Sequence, residues 1–223
     1  MSDPATESAR PPLDAAEARI LAALVEKEAT TPESYPLTAN AVQLACNQKT
    51  HRDPVLELEA GAVGHALRQL EQSGLVRSVH GARAQRYEHR FAQGYSITLK
   101  QQALLCVLML RGPQTLAELL ARCERLQAPE DLDDARQTLE RLQQRGLAQR
   151  MARQPGQRED RYVHLLCGPV DESALPPPAA SASSRATVRG DEALERRVAD
   201  LEARIARLEA ALDMPVRGAD DAD

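Results

Sequence analysis

The chain has 223 residues, 43% of them hydrophobic and 27% charged, a composition typical of a soluble globular protein. Its longest apolar run, residues 103–110, is far shorter than the roughly 20 residues that cross a bilayer. Residues 1–14 also lack the apolar stretch of a signal peptide. We therefore expect a cytoplasmic protein without a membrane partner, with room for two small domains.

The net charge of −5 is unevenly distributed along the chain. From Asp171 onward there are 12 acidic and 7 basic residues, so the preceding part of the chain is neutral overall. A neutral body does not by itself favour binding to nucleic acid, and only local patches of charge can do so.

The first unit is predicted to follow a disordered lead at residues 1–12. Its first helix opens at Asp14, which can form a capping box with Glu17. A second helix begins after Thr38 and ends near Cys46, and a third runs from about Glu59 to Ser73. The predicted inward residues of the first and third helices are Ile20, Leu21, Leu24, Val25, Val63, Leu67 and Leu70. Gly74 ends the third helix, and strands at 75–79 and 85–91 then form a hairpin.

The second unit begins with two further capping boxes, Thr98 with Gln101 and Thr115 with Glu118. Its third helix is predicted to bury Leu132, Ala135, Leu139 and Leu142. A second hairpin follows, with strands at 147–151 and 161–166 and a turn at Pro155-Gly156.

The two units are repeats of one plan. Four residues of the first, Leu67, Leu70, Gly74 and Leu75, return at a constant offset of 72 as Leu139, Leu142, Gly146 and Leu147. The predicted fold class is mainly α within the α+β class. It consists of two tandem winged-helix domains, at 13–95 and 96–168, each with a small antiparallel β wing.

The first unit contains an insertion between its second and third helices. Pro36, Thr38 and Cys46 match Pro113, Thr115 and Cys123 at an offset of 77 rather than 72, which leaves five extra residues within 47–54. Loops held by rigid elements often carry binding groups, so this segment is a candidate partner-binding loop. Its candidate residues are Asn47, Gln48, Lys49, Thr50, His51 and Arg52. The alternative is a solvated connection whose polar side chains only satisfy backbone groups.

The C-terminal part is predicted to contain a Pro/Ala/Ser-rich linker at 169–190, a helix at 191–214 and an acidic tail at 215–223. The helix has apolar residues spaced alternately by four and three, a heptad pattern with branched residues at a and leucine at d. These residues are Leu194, Val198, Leu201, Ile205, Leu208 and Leu212. The pattern favours a parallel homodimer, and the alternative is a helix that packs on its own body.

No catalytic constellation is present in the sequence, which lacks a phosphate-binding glycine loop, a nucleophile elbow and a His-Glu-x-x-His motif. We therefore expect a binding protein rather than an enzyme, with no catalytic residues and no cofactor. The four cysteines, Cys46, Cys106, Cys123 and Cys167, lack zinc-site spacing and are expected to be reduced, packed thiols without a metal.

Both wings are basic, and double-stranded DNA is therefore a candidate partner. The candidate DNA-binding residues are Lys49, Arg68, Gln69, Arg77, Arg83, Arg86, Arg90, Arg150, Arg153, Arg158 and Arg161. The third helix of the second unit is strongly acidic, and its carboxylates would repel phosphates. A protein partner, bound by a winged-helix scaffold that does not bind DNA, is the alternative.

Four segments resemble the YceH family of uncharacterised bacterial proteins. They are Glu26–Leu37, Ala45–Val55, Arg86–Phe91 and Arg161–Leu165, and the similarity covers about residues 13–167. The resemblance implies a tandem winged-helix fold in a bacterial cytoplasmic protein. It implies no established activity, and no functional residues are carried over from it.

Overall fold

The computed structural model describes residues 10–80, 84–151 and 159–170. These residues belong to one unit, Met1–Glu172. Several predicted features lie outside the described residues: most of the lead, the turn at Pro155-Gly156, the linker, the heptad helix and the tail, together with Arg83, Arg153 and Arg158.

The first half contains four helices and a small sheet. Its elements are α1 at Ala15–Thr30, a 3-10 turn at Pro32–Ser34, β1 at Leu37–Thr38, α2 at Ala39–Cys46, α3 at Ala60–Gln72, β2 at Val76–His80, β3 at Gln85–His89 and α4 at Phe91–Tyr95. The strands are antiparallel in the order β1-β3-β2, with Leu37 opposite Tyr87 and Val76 opposite His89.

The second half repeats this order with three helices. Its elements are α5 at Leu99–Arg111, β4 at Gln114–Thr115, α6 at Leu116–Cys123, α7 at Leu132–Gln144, β5 at Ala148–Arg150 and β6 at Arg161–His164. Its strands are antiparallel in the order β4-β6-β5. The described part of the chain is thus a mixed α+β structure, mostly helical, with seven α-helices and two small antiparallel sheets, as the sequence predicts at this level.

The predicted helix boundaries are confirmed by their caps. Asp14 accepts a hydrogen bond from the Glu17 amide at 2.7 Å, and Glu17 accepts one from the Asp14 amide at 2.8 Å. Capping boxes also start α5 and α6. Gly74 and Gly146 follow α3 and α7 with φ of 72° and 65°, a conformation that glycine adopts without strain.

The two halves share one hydrophobic core. Helix α5 is buried along its length from Gln101 to Leu110, and it packs against α1. The Cys106 thiol donates to the Ala22 carbonyl at 3.3 Å across this contact. Since each fully buried leucine contributes about 1.5–3 kcal/mol, the pairing of α1 with α5 is a main source of stability.

Two predictions of local structure are wrong. Leu132 is 46% exposed, because it is the first residue of α7 and precedes the inward stripe. That stripe consists of Ala135, Thr138, Leu139 and Leu142. The strand predicted at 85–91 ends at His89. Buried Phe91 instead begins α4, and its ring is nearly perpendicular to that of Tyr95, with 5.4 Å between the ring centroids.

The first half has a second insertion. The caps Asp14 and Thr98 are 84 residues apart, whereas the caps Thr38 and Thr115 are 77 apart, so the first half has seven additional residues between the N-caps of its first two helices. They form the last turn of α1 and the 3-10 turn. Among the described residues, no helix combines the length and the apolar character needed to cross a membrane.

Candidate functional site

The exposed face of α3 is polar and open. Val63, Ala66, Leu67 and Leu70 point into the core, which leaves His65, Arg68 and Gln69 outward. Within the described part of the chain, these three side chains make no hydrogen bond or ion pair. The face is also open at Gly61, where an added Cβ would meet nothing within 4 Å.

The corresponding face of α7 is acidic. Its first turn carries Asp133 and Asp134 after the N-cap Asp131. Lys100 contacts Glu130 at 3.1 Å and Asp134 at 2.8 Å, while Arg136 pairs with Asp133 at 2.7 Å. The basic groups near α7 are therefore largely occupied by its own carboxylates.

The arginines of the first hairpin have partners within the chain. Arg77, whose side chain is 54% exposed, pairs with Glu88 at 2.6 Å. Arg86 donates to the Pro36 carbonyl at 2.7 Å. Arg90 is half-buried, and its Nε has no hydrogen-bond partner.

The second hairpin repeats one of these contacts. Arg161, the counterpart of Arg86, donates to the Pro113 carbonyl at 2.8 Å and lies 3.3 Å from Glu118. Both arginines thus join the middle strand of a sheet to the proline that precedes its short edge strand. Arg150 points outward, with its side chain 62% exposed, and lies 3.4 Å from Asp160.

Arg52, predicted as part of a partner-binding loop, points into the protein. Its side chain is 0% exposed and donates to both carboxylate oxygens of Glu26, at 2.6 and 3.1 Å. It also donates to the Ala45 carbonyl at 2.8 Å and to the Gln48 side chain at 2.9 Å. Burial opposes the ionisation of Glu26, but the hydrogen bonds and positive charges of Arg52 and Lys27 together outweigh it and lower the pKa of that carboxyl. Arg52 therefore joins α1 to the end of α2.

The same segment contacts the second half. The Asp53 amide donates to the Leu110 carbonyl at 2.8 Å, at the end of α5. His51, with φ of 62°, has its Nδ1 in contact with the Arg111 guanidinium. Partial burial and the positive charge of Arg111 lower the pKa of His51. The five-residue insertion is therefore a connection between the two halves.

Two further residues fix the ends of this segment. Arg19, which is buried in α1, donates to the Pro54 carbonyl at 2.8 Å. Asn47 both donates to the Leu58 carbonyl and accepts from the Leu58 amide, each at 2.9 Å. Our sequence analysis did not identify Arg19, although an arginine beside the apolar stripe of α1 was a usable signal. Lys49 and Thr50 remain exposed and make no hydrogen bond with described residues.

His89 and His164 occupy equivalent positions in the two hairpins but have different surroundings. His89 Nε2 lies 2.8 Å from Glu28, and its amide donates to the Tyr35 hydroxyl at 2.7 Å. Burial lowers the pKa of His89, while the Glu28 carboxylate opposes this shift. Among the described residues, His164 has no such carboxylate and its Nδ1 has no hydrogen-bond partner; burial lowers its pKa to about 4.

Three of the four cysteines are packed and unpaired, as predicted. Burial raises the pKa of Cys46 and Cys123 to about 12, and Cys106 is fully buried. Cys167 is exposed instead, because it follows the last strand at the surface. Within the described ranges, no group of three or more His, Cys, Asp or Glu residues is arranged to hold a metal ion.

Comparison with known proteins places these features in a family. A family model described as "Protein of unknown function, DUF480" matches residues 13–157. A UPF0502 protein of Stenotrophomonas maltophilia is 55% identical over 202 residues, which cover 91% of this chain and 93% of the relative. A UPF0502 protein of Xanthomonas campestris is 56% identical over 203 residues, covering 91% of each chain. The chain therefore belongs to the DUF480 (UPF0502) family of uncharacterised bacterial proteins, the family that its sequence resembles under the name YceH.

Proposed function

We propose that the chain is a DNA-associated regulatory protein built from two winged-helix units and acting as a dimer. The repeated order of elements supports the winged-helix assignment, since each half has a helix, a short edge strand, two helices and a hairpin. In helix-turn-helix proteins, one helix enters the major groove and neighbouring elements contact the phosphate backbone. The third helix of each unit, α3 or α7, would have that role here.

The exposed face of α3 is the observation that carries this proposal. Arg68 and Gln69 are side chains that can read base edges, and on α3 neither makes a side-chain hydrogen bond or ion pair with a described residue. Helix α7 would instead bring Asp133 and other carboxylates toward phosphates, which repel them. We therefore assign duplex contact to the first unit.

Lys49 and Arg77 complete the proposed interface as phosphate contacts. Lys49 is exposed on the loop that precedes α3. Arg77, on the hairpin that follows it, pairs with Glu88 but keeps 54% of its side chain exposed, so a phosphate can compete for it. Arg86, Arg90 and Arg161 are engaged or half-buried, so they are less suited to phosphate binding than their charge suggests. Arg150 is exposed and is a secondary candidate.

Dimerisation is assigned to the heptad residues between Leu194 and Leu212, which lie outside the described residues. Leu201 occupies a central d position of this pattern. We expect the full chain to have the mass of a dimer in light scattering after size-exclusion chromatography, and the Leu201→Asp variant to have the mass of a monomer. A wild-type monomer at micromolar concentration would contradict the assignment.

Fluorescence anisotropy with a random duplex of about 30 base pairs tests the proposed function. Binding should weaken with salt, with a logarithmic slope of roughly −2 if two phosphates are contacted. Failure to bind the duplex at low salt would overturn the proposal. A salt-independent signal would exclude contact through Lys49 and Arg77.

A protein partner is the second candidate function, and one observation favours it. Leu44 on α2 is 65% exposed, and Val55, which follows the loop that carries Lys49 in the sequence, is 49% exposed. Contiguous exposed apolar patches mark protein interfaces, and these two side chains would form part of such a patch in a scaffold. The test compares wild type with Leu44→Ser in affinity capture. Loss of a specific protein with unchanged duplex affinity would favour the scaffold over the DNA-binding protein.

A further inference from the structure

Arg111, the last residue of α5, is half-buried and has no carboxylate partner among the described residues. Its guanidinium contacts only the His51 ring, where it donates to Nδ1. Burial lowers the pKa of Arg111, and the positive charge of Arg122 adds to this shift. A guanidinium has five N–H groups, and most of those of Arg111 are available to an anion from outside the protein.

The equivalent residue of the first half does have such a partner. At the offset of 84 that relates α1 to α5, Arg111 corresponds to Lys27. Lys27 lies 3.4 Å from the Glu26 carboxylate and donates to the Gln48 side chain at 3.5 Å. The residue that corresponds to Glu26 is the buried Leu110. The second half therefore retains the cation and lacks the carboxylate.

The charges around Arg111 leave a positive excess. Glu26 and Glu118 oppose the lowering of its pKa, but other arginines engage both carboxylates. Arg52 donates to both oxygens of Glu26, and Arg161 lies 3.3 Å from Glu118. Six cations and three carboxylates lie on the inserted segment, 47–54, or act on Arg111 and its neighbours: Lys27, Lys49, Arg52, Arg111, Arg122 and Arg161 against Glu26, Asp53 and Glu118. This region can therefore accept an anion without displacing an internal ion pair.

The tip of the inserted segment, Lys49–His51, supplies donors beside Arg111. Because Nδ1 of His51 accepts from Arg111, the neutral ring carries its proton on Nε2, which is a donor. Lys49 and Thr50 are exposed, and neither their side chains nor their amides make a hydrogen bond within the part of the chain that the structure describes. His51 has φ of 62°, and successive amides that end at a residue in this conformation can form an anion-binding concavity.

The rest of the segment fixes this tip against α5. The Asp53 amide donates to the Leu110 carbonyl at 2.8 Å, and the buried Arg52 side chain joins the segment to α1 and α2. Donors that are already held in place lose little conformational entropy when a ligand binds. The connection between the two halves thus pre-organises the donors of the tip and Arg111.

We propose that the tip of the inserted segment and Arg111 together bind a phosphate group. Lys49 and Arg111 supply the charge, and the Thr50 hydroxyl, the tip amides and Nε2 of His51 donate to the phosphate oxygens. The phosphate has two candidate sources. As a backbone phosphate of a duplex, it rests on the proposed function and extends the DNA interface onto the second half. As a free phosphate, it is independent of DNA binding.

The first arm of the test is a titration of the full-length, ¹⁵N-labelled protein with sodium phosphate, at constant pH and with sodium chloride keeping the ionic strength constant. Phosphate should cause saturable shifts of the Lys49, Thr50 and His51 amides at tens of millimolar. Sodium chloride alone should cause none of these shifts, because chloride cannot accept from several donors in the same geometry.

The second arm compares variants in phosphate titration and in anisotropy with the random duplex. Arg111→Gln and Lys49→Met should each weaken phosphate binding about threefold to tenfold, because each removes a charged donor. Arg125→Gln is the matched control, since Arg125 is an exposed arginine of the second half without a partner among the described residues, and should change either affinity by less than about twofold. Circular dichroism verifies folding, and Lys49→Met, at an exposed position, retains the test if Arg111→Gln is unstable.

The outcomes distinguish the two sources. Loss of duplex affinity in Arg111→Gln but not in Arg125→Gln supports a backbone phosphate. Saturable phosphate shifts with unchanged duplex affinity support a free phosphate. Absence of saturable phosphate shifts, together with equal duplex affinities of Arg111→Gln and Arg125→Gln, would overturn the proposal. If the wild type binds no duplex, the proposed function fails, and the phosphate titration alone decides whether the site exists.

Discussion

The two halves of the chain have one topology and different additions. The first half has seven extra residues between the N-caps of α1 and α2 and five more between α2 and α3. The first addition brings Glu28 and Tyr35 to His89, and the second carries Arg52 to Glu26. The inserted chain is therefore held largely by internal contacts, and a polar loop composition is a poor guide to how much of a loop is free.

The halves also differ in the charge of their third helices. Helix α3 exposes Arg68 and Gln69, which have no partner among the residues that the structure describes, whereas the carboxylates of α7 engage Lys100 and Arg136. Repetition of a fold thus does not imply repetition of a binding face.

Removing Arg52, the central arginine of the inserted segment, should reduce the stability of the protein more than any other change predicted here. Arg52→Met leaves the Glu26 carboxylate and the Ala45 carbonyl without their donor, and we expect a loss of about 3–5 kcal/mol in the free energy of unfolding. Urea unfolding followed by circular dichroism measures this loss. Lys49→Met, in the same segment but exposed, is the control and should be neutral. Equal free energies of unfolding for the two variants would show that the inserted segment does not stabilise the fold through Arg52.

The second prediction concerns the pH dependence of stability, to which the two hairpin histidines, His164 and His89, should contribute differently. His164 has a pKa of about 4 when folded and about 6.5 when unfolded, so the unfolded chain takes up more protons as the pH falls through 6.5. We expect this residue to remove about 1–2 kcal/mol of stability between pH 7 and pH 5. The pH dependence should become shallower in His164→Gln.

His89→Gln should change the pH dependence less, because Glu28 partly favours the charged form of His89. Urea unfolding at pH 7 and pH 5 compares the two variants. A slope that is identical in wild type and His164→Gln would contradict a buried neutral imidazole.

The smallest predicted effect concerns the contact that both halves contain, a hydrogen bond from an arginine to a proline carbonyl. Arg86→Ala and Arg161→Ala each remove a hydrogen bond to a proline carbonyl, of 2.7 and 2.8 Å respectively. Because both arginines are partly solvated, we expect similar losses of about 0.5–1 kcal/mol. Thermal unfolding measures both. A loss in only one variant would show that the repeated contact is not equivalent in the two halves.

The sequence predicted the regular parts of this fold well. Capping boxes at Asp14, Thr98 and Thr115 and glycines at the ends of α3 and α7 are local signals, and the structure has all of them. The apolar spacing also gave the inward residues of α1 and α3. Leu132 was assigned to the core because it fits the period of α7, which does not show where the buried stripe begins.

The candidate site was less predictable because its contacts join distant parts of the chain. Arg52 and Glu26 are 26 residues apart, and Arg86 and Pro36 are 50 apart. No local pattern distinguishes an arginine that binds a carbonyl from one that is free for a phosphate. The repeat contained a usable clue, since equivalent arginines beside equivalent prolines favour a structural role.

The measurement that tests the central assignment most directly compares charge reversals on the two third helices. Anisotropy with the same duplex is recorded for Arg68→Glu on α3 and Arg136→Glu on α7, both exposed positions, after circular dichroism has verified folding. If the first unit makes the contact, Arg68→Glu should weaken binding by at least about tenfold and Arg136→Glu by less than about twofold. Equal weakening by both variants, or an effect of Arg136→Glu alone, would contradict the assignment of the DNA interface to the first half.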